Sequence, residues 1–281
     1  MKKNKMFSLK KIFGEKKNKK KVASDNRIFL EIDNFQGIGK RRCQEDSFYV
    51  ANYNNKSAID EKGFMSVVAD GMGGMSNGAE MSAVVTLAAK EYYDNYLVAF
   101  KDKVSEALVS MLNYIDKKAK QLQDETDEDE SGSTLLAVLI RENKMHFLTV
   151  GDSRIYLFRE GKLLQLNREH NIKSKMLERL AKEEIDMEFY EDITGKSGLT
   201  SYIGIPELTL YDLSVKPLFL QPEDVILLAT DGVFGTLPET KIIEILSGDG
   251  KDMGKKMRSA IEEANNPKQD NYTGVIIRCK N

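Results

Sequence analysis

Acidic residues stand at the ends of predicted strands at four places in the sequence. Glu45 and Asp46 come just before the strand-like end of "QEDSF", and Asp70 ends the run "VVAD". Asp231 follows the almost wholly apolar "VILLAT", and Asp270 precedes the strand-like "NYTGVIIR". If these side chains converged, carboxylates within about 4 Å would repel by roughly 4 kcal/mol per pair at an effective dielectric of about 20. Bound cations would offset that repulsion, and oxygen-only ligands favour Mg²⁺ or Mn²⁺.

Each of these acidic residues also has an ordinary structural explanation, because aspartate shapes turns and caps helices. The sequence alone does not show that the four places converge. The sequence has few residues or motifs that would support other kinds of site. The chain has two histidines and two cysteines, too few for a zinc site or a disulfide framework. "GDSRIY" is not the Gly-x-Ser-x-Gly elbow of hydrolases, and "GMGG" lacks the Lys-Ser/Thr pair of a phosphate loop.

Hydrophobic periodicity predicts the elements that must position these residues. The predicted strands are 28–33, 47–51, 64–69, 134–141, 145–150, 155–159, 163–166, 208–215, 225–229 and 273–279. The predicted helices are 79–100, 104–122, 172–183, 238–246 and 254–264. "RENK" and "REGK" are predicted hairpin turns, and "DETDEDE" (124–130) is a predicted acidic loop. Blocks of strands separated by helices favour an α+β fold with largely antiparallel sheets.

Length and composition are those of an ordinary soluble protein. The 281 residues are 41% hydrophobic and 31% charged, which is typical of globular domains. A net charge of −2 gives the whole chain no strong attraction for nucleic acid, so we predict no nucleic-acid partner. No apolar run approaches the roughly 18 residues that a membrane span needs, and we predict a cytoplasmic location.

Residues 1–25 form a predicted basic N-terminal arm ahead of a domain at 26–281. From Lys2 to Lys21 this arm carries ten lysines and one glutamate. Blocks of like charge are usually disordered, solvated tails. The alternative is a weak contact with an anionic membrane surface. Apolar residues lying among the lysines would support that contact: Met6, Phe7, Leu9, Ile12 and Phe13.

Seven motifs, taken together and in order, resemble the metal-dependent serine/threonine protein phosphatases of type 2C in their compact bacterial form. They are "GKRRCQED" (39–46), "VVADGMGG" (67–74), "SGSTLLAVLI" (131–140), "LTVGDSRIYLFREGKLLQLNREHN" (148–171), "GLTSYIG" (198–204), "VILLATDGVFG" (225–235) and "QDNYTGVII" (269–277). A single Asp-Gly pair carries no information, whereas seven ordered motifs over most of the chain do.

This resemblance implies a four-layer fold, in which two packed antiparallel β-sheets are flanked by helices on both outer faces. It also implies a centre of two Mn²⁺ or Mg²⁺ ions at one edge of the sandwich, with Asp70 bridging both ions. The other implied ligands are the Gly71 carbonyl on one ion, Asp231 and Asp270 on the second, and Asp46 or Glu45 completing the shell directly or through water. Arg41, Asp46 and Asp70 are the implied catalytic residues.

The resemblance further implies hydrolysis of phosphoserine and phosphothreonine in proteins by a water that the two ions activate. Arg41 matches a phosphate-binding arginine, although plain surface charge is the alternative because Lys40 and Arg42 flank it. Asp152 matches a position that holds a weaker third metal together with Asp231, and a turn-forming role is its alternative. Residues 172–198 resemble a mobile flap beside the site. The implied partners are phosphoproteins and an opposing serine/threonine kinase, and we expect a monomer.

Two positions depart from the pattern of the family. Met72 stands where many members have histidine, and Glu169 in "NREH" stands where an aspartate is usual. Position 169 is not a metal ligand, so we expect catalysis to survive. Two other functions stay in view: a catalytically inactive regulatory module, which a missing core carboxylate would indicate although none is missing, and a hydrolase of small phosphate esters.

Overall fold

The computed structural model describes residues 28–51, 56–73, 77–100, 103–126, 131–248 and 250–281. In these ranges the strands are β1 (Phe29–Gly37), β2 (Asp46–Val50), β3 (Phe64–Met72), β4 (Gly132–Ser133), β5 (Leu135–Arg141), β6 (Lys144–Val150), β7 (Arg154–Arg159), β8 (Lys162–Gln165), β9 (Asp212–Leu213), β10 (Leu218–Phe219), β11 (Val225–Ala229) and β12 (Tyr272–Lys280). The predicted arm at 1–25 lies outside the described residues.

The α-helices of the described ranges are α1 (Lys56–Lys62), α2 (Asn77–Asn95), α3 (Val104–Thr126), α4 (Ile172–Ala181), α5 (Met187–Asp192), α6 (Asp231–Phe234), α7 (Glu239–Leu246) and α8 (Met253–Glu263). A 3₁₀ turn at Leu97–Phe100 follows α2. Within the described ranges, each helix falls short of the length or the apolar character that crossing a membrane requires.

The strands form two antiparallel sheets. One has the order β1-β12-β11-β7-β8, and the other has the order β10-β6-β5-β3-β2, with β4 added to β3 and β9 to β6. Helices α2 and α3 cover the outer face of the second sheet, and α7 and α8 cover the first. The four-layer α+β sandwich expected from the sequence is therefore confirmed.

Strands β3 and β5 are apolar along nearly their whole length because both faces of each are covered. Residues 64–69 and 135–140 are all buried, between α2 and α3 on one side and the other sheet on the opposite side. Such buried, well-paired strands hold their ends in fixed places.

The predicted hairpin turns are confirmed at Glu142 and Glu160, whose φ angles of 57° and 50° are those of left-handed turn residues.

Some predicted boundaries were wrong. The predicted strand at 208–215 is reduced to β9, because the Ser214 hydroxyl accepts a hydrogen bond from Phe147 N–H in place of a backbone partner. The first residues of the predicted acidic loop are helical, since α3 runs on to Thr126, where the threonine hydroxyl donates to the Leu122 carbonyl. Residues 127–130 of that loop lie outside the described part of the chain.

Candidate metal centre

Asp46 and Asp70 face each other across two neighbouring strands. Asp46 is the first residue of β2, and its register partner on β3 is Asp70, which lies inside that strand and not after it as the sequence predicted. The Asp46 side chain is buried, and its Oδ2 accepts a hydrogen bond of 3.0 Å from Thr230 Oγ1. In the described part of the chain its Oδ1 has no hydrogen-bond partner. A buried carboxylate oxygen without a donor suits a cation.

The backbone of Asp70 is fixed by the third motif of the sequence. Asp70 N–H donates to Thr134 Oγ1 at 3.0 Å, and the Asp70 carbonyl accepts from Thr134 N–H at 2.8 Å and from Ser133 Oγ at 3.0 Å. The Thr134 hydroxyl lies 2.9 Å from Ser153 Oγ, which connects this strand to the "GDSR" turn. These bonds explain why small hydroxyl residues stand at 133, 134 and 153.

Glycines at the end of β3 allow α2 to start against it. A Cβ on Gly71 would overlap the Gly78 carbonyl oxygen, so a side chain at 71 would push the first turn of α2 away. A Cβ on Gly78 would lie 2.7 Å from Glu45 Oε1 and 3.1 Å from the Gly71 carbonyl oxygen. These two oxygens therefore border the same small space, which fits the prediction that both complete a metal shell.

Asp231 and Asp270 lie close enough to Asp46 to raise its pKa by repulsion. Asp231 is the first residue of α6, and the Gln269 amide holds that helix by donating to the Gly232 carbonyl at 2.9 Å. Asp270 accepts hydrogen bonds from Asn271 N–H at 2.8 Å and from Arg41 Nη2 at 2.5 Å. Both carboxylates thus project from short turns that β11 and β12 position.

Burial and mutual repulsion disfavour negative charge on these aspartates. Burial, with repulsion from Asp231 and Asp270, raises the pKa of Asp46 to about 7. Burial and repulsion from Asp270 raise the pKa of Asp231 to about 6. Burial, followed by repulsion from Asp46, Asp231, Asp152 and Asp270, raises the pKa of Asp70 well above its ordinary value. Groups that repel each other this way are stabilised by bound cations.

The carboxylates are neighbours, but their side chains are not gathered into one ready-made ligand set. In the described ranges, no three acidic, histidine or cysteine side chains meet closely enough to coordinate one cation as they stand. Asp270 is instead paired with Arg41. The oxygen-only donor set and the unpaired oxygen of Asp46 fit hard divalent cations. The individual metal–ligand assignments stay predictions.

Arg41 lies at the mouth of this cluster. Its side chain is 53% exposed, and Asp270, with weaker contributions from Glu45 and Asp231, raises its pKa. The loop that carries it is tied down by Lys40 N–H, which donates to the Gln269 carbonyl at 2.8 Å. Arg41 is thus beside the carboxylates and also open to solvent, as a phosphate-binding residue would be.

Asp152 belongs to the same region. It follows Gly151, whose N–H donates to His170 Nδ1 at 3.1 Å and whose φ of 96° suits glycine. Burial, with repulsion from Asp231 and Glu169, raises the pKa of Asp152 to about 7. Asp152 and Asp231 are close together, as binding of a shared third metal would require. Asp152 also lies in the turn between β6 and β7, so the turn-forming role remains the alternative.

Sequence reasoning missed the polar residues that hold the acidic loops in place. The Asn271 amide donates to the carbonyls of Ile38 at 2.8 Å and Cys43 at 3.0 Å, and its oxygen accepts from Glu45 N–H at 2.7 Å. Thr230 likewise orients Asp46. Both residues lie next to a predicted ligand in the chain, and this adjacency was the signal that would have found them.

Comparison with known proteins gives a consistent family. The family model described as protein phosphatase 2C matches residues 39–267. A serine/threonine phosphatase, stp, of Listeria monocytogenes serotype 4b is 28% identical over 214 residues, which are 75% of this chain and 82% of that protein. Protein phosphatase PhpP of Streptococcus pneumoniae serotype 2 is 25% identical over 251 residues, which are 88% of this chain and 97% of that protein.

Solved structures share the fold. The S. agalactiae serine/threonine phosphatase superposes with a TM-score of 0.75 at 23% identity, covering 89% of this chain and 99% of that one. The catalytic domain of the serine/threonine protein phosphatase PstP, solved in complex with two manganese ions, gives a TM-score of 0.66 at 22% identity, covering 90% of this chain and 100% of that one.

Proposed function

Because the chain belongs to the protein phosphatase 2C family, we propose that it hydrolyses phosphoserine and phosphothreonine in proteins with the help of divalent cations. One observation carries this proposal. Asp46 is buried and is the register partner of half-buried Asp70, and one Asp46 carboxylate oxygen has no donor in the described part of the chain, close to Asp231. The relative named serine/threonine phosphatase stp supports the substrate class, and the relative named protein phosphatase PhpP supports a protein substrate.

The acidic residues and the Gly71 carbonyl would bind the two cations. Among the acidic residues, Asp70, Glu45, Asp231 and Asp270 would hold the two ions. Thr230 holds Asp46 in the orientation that leaves its second oxygen available. When bound, two cations would activate a water for attack on phosphorus and offset the charge of the phosphate.

Arg41 would bind the phosphate group of the substrate. Its planar guanidinium can donate two parallel hydrogen bonds to phosphate oxygens. To do so it must exchange part of its contact with Asp270 for the substrate, and the exposure of its side chain permits that exchange. Hydrolysis by an activated water needs no covalent phosphoenzyme, so no nucleophilic side chain is required at this site.

We propose Mn²⁺ or Mg²⁺ as the ions, two in number, with a weaker third at Asp152 and Asp231. The PstP structure with two manganese ions supports this choice. We further propose that the protein acts as a cytoplasmic monomer on the products of a serine/threonine kinase, with its basic arm available for weak contact with anionic membrane. The lysines of the arm support the membrane contact.

The decisive test is hydrolysis of a phosphothreonine peptide, compared with nucleoside monophosphates, with Mn²⁺ and with EDTA. We expect cleavage of the peptide that requires the metal and stops in chelator. Full activity in EDTA would contradict metal dependence. A preference for nucleoside monophosphates would favour a small-ester hydrolase, and metal binding without any hydrolysis would favour a regulatory module.

A further inference from the structure

A partly buried ion pair lies beside the metal centre and has no part in the proposed chemistry. Arg154 is the first residue of β7, two positions after Asp152, and its Nη2 lies 2.6 Å from Glu169 Oε1. The two side chains are only 20% and 16% exposed. Glu169 is also the residue at which the chain departs from the usual aspartate of its family.

Glu169 reaches toward the flap (172–198) with its second oxygen. Its Oε2 accepts a hydrogen bond of 2.9 Å from Asn171 Nδ2. The Asn171 oxygen in turn accepts from Ser174 N–H at 2.9 Å and so caps the N-terminus of α4. The Asn171 side chain is buried and lies near Asp152, where it favours the charged form of that carboxyl and partly offsets the burial that raises its pKa. One amide therefore touches the flap, Glu169 and the third-metal residue.

Arg154 reaches the other side of the centre. Its guanidinium lies 3.8 Å from the centroid of the Phe234 ring, and Phe234 ends the short helix that begins at Asp231. Nη1 of Arg154 donates to the Tyr156 hydroxyl at 2.8 Å, which fixes the direction of the side chain. The ion pair thus contacts both structural elements that carry Asp152 and Asp231, as well as the start of α4.

We propose that Glu169 is a positioning residue. Through Asn171 and Arg154 it holds the first helix of the flap in a fixed relation to the Asp152 side of the metal centre, so that flap order and cation affinity depend on each other. This inference rests on the proposed function, since it assigns a role around the same centre. The Glu169 side chain is long enough to place one oxygen beside Arg154 and the other beside Asn171.

The first measurement uses hydrogen exchange of the α4 amides in EDTA, where no metal contributes. None of the residues of α4 is buried, so its local stability depends on its cap and its anchoring. Glu169→Gln keeps the size of the side chain and removes the charge that pairs with Arg154. We expect amides at 172–175 to exchange about fivefold faster in this variant, as loss of about 1 kcal/mol of capping would give.

The second measurement is Mn²⁺ binding by calorimetric titration, which does not depend on turnover. Residues that orient metal ligands typically change metal affinity by about 10–100-fold when mutated. We expect Glu169→Gln to raise the dissociation constant of the weakest ion by about tenfold and to leave the tightest ion nearly unchanged. In steady-state kinetics the KM for phosphopeptide should rise more than kcat falls.

A matched control lies at the far end of the same strand. Arg159 and Asp224 form a similar ion pair with side chains 15% and 1% exposed, at the end of β7 and the start of β11. Asp224→Asn should lower the melting temperature without changing α4 exchange or Mn²⁺ affinity. The double variant Arg154→Leu/Glu169→Leu removes the charge imbalance, so its melting temperature should recover toward wild type while α4 exchange stays fast.

Two results would overturn the proposal: Glu169→Gln with wild-type α4 exchange and Mn²⁺ affinity, or equal effects in Asp224→Asn. If Glu169→Gln does not fold, the double variant is compared with wild type in the same way, and recovery of α4 protection together with stability would mean that the pair is only structural. Absence of phosphatase activity in wild type would refute the proposed function but leave both measurements interpretable.

Discussion

At the scale of single residues, the charge on Asp70 and Asp231 determines what the site can bind. Each of these aspartates lies among other carboxylates that raise its pKa. Asp70→Asn and Asp231→Asn should therefore leave the fold intact and remove a charge that the cations need. We expect turnover of phosphothreonine peptide to fall by at least about 100-fold, since even residues behind metal ligands cost about 10–100-fold. Near-normal turnover in either variant would make that residue structural.

The raised pKa of Asp231 predicts a pH-dependent stability of the metal-free protein. The folded state holds this proton more tightly than the unfolded chain, so the wild-type protein loses stability as pH rises from about 4 to about 6. Asp231→Asn has no proton to lose. In EDTA, the melting temperature of Asp231→Asn minus that of wild type should increase from about pH 4 to about pH 6 and then level off. A constant difference between pH 4 and pH 8 would contradict the raised pKa.

Arg41 is predicted to act in substrate binding. Its exposed guanidinium beside Asp270 is placed to meet a phosphate, and a hydrogen bond to a charged group is worth roughly 1.5–3 kcal/mol. Arg41→Ala should raise the KM for phosphopeptide by about tenfold and lower kcat less, as expected for an interaction made equally in ground and transition states. Arg42→Ala, at an exposed neighbouring position, is the control. An unchanged KM for Arg41→Ala would return this residue to plain surface charge.

Most residues of the candidate site could be predicted from the sequence, but that they meet at one place in the fold could not. The motif order identified Asp46, Asp70 and Asp231 as candidates. That Asp46 and Asp70 are register partners depends on how β2 pairs with β3, and one residue of slip would turn the side chains to opposite faces. Adjacency to Asp270 could have singled out Asn271, but its role depends on the fold, because its partners at Ile38 and Cys43 are more than two hundred residues away in sequence.

At the scale of elements, the contact of β3 with the start of α2 is a close backbone junction near the site. A Cβ at position 71 would overlap the Gly78 carbonyl oxygen, and backbone atoms cannot give way as a flexible side chain can. Gly71→Ala should cost about 3 kcal/mol of unfolding free energy, the upper range for overpacking. Urea denaturation in EDTA measures this cost without interference from bound metal.

Gly161→Ala provides the comparison. Gly161 has a φ of 75° in the turn between β7 and β8, and an added Cβ there meets nothing within 4 Å. Its cost should be only the backbone strain of about 1 kcal/mol. If Gly71→Ala were no more destabilising than Gly161→Ala, the close approach of β3 and α2 would have no energetic weight.

Elements differed in how well the sequence predicted them. Strands β3, β5 and β11 were found because continuous apolar runs are typical of strands covered on both faces. Helices α5 and α6 were missed, since six and four residues are too few to show a helical period. The strand predicted at 208–215 failed because its pairing with β6 is limited to Asp212–Leu213, and Leu210 and Val215 are exposed.

At the scale of the whole molecule, charge is divided unevenly. Residues 1–21 hold ten lysines and one glutamate, so the rest of the chain carries a net charge of −11. A domain with this net negative charge is repelled by an anionic membrane. The lysines of the arm would act against that repulsion. All seven motifs begin after the arm, at residue 39 or later. Catalysis on soluble peptides and attraction to a charged surface should therefore be separable properties of this chain.

Deleting residues 1–24 is expected to separate them. The truncated protein should hydrolyse a soluble phosphopeptide at the wild-type rate and bind less to anionic vesicles. Each lysine near an anionic surface contributes about 1 kcal/mol, and partial insertion of Phe7, Leu9, Ile12 and Phe13 would add to it. Binding of the intact protein should weaken as salt shortens the Debye length from about 10 Å at 0.1 M to about 3 Å at 1 M. Co-sedimentation with anionic and neutral vesicles at both salt concentrations is the measurement. Intact protein that ignores anionic vesicles even at low salt would leave the arm as a solvated tail.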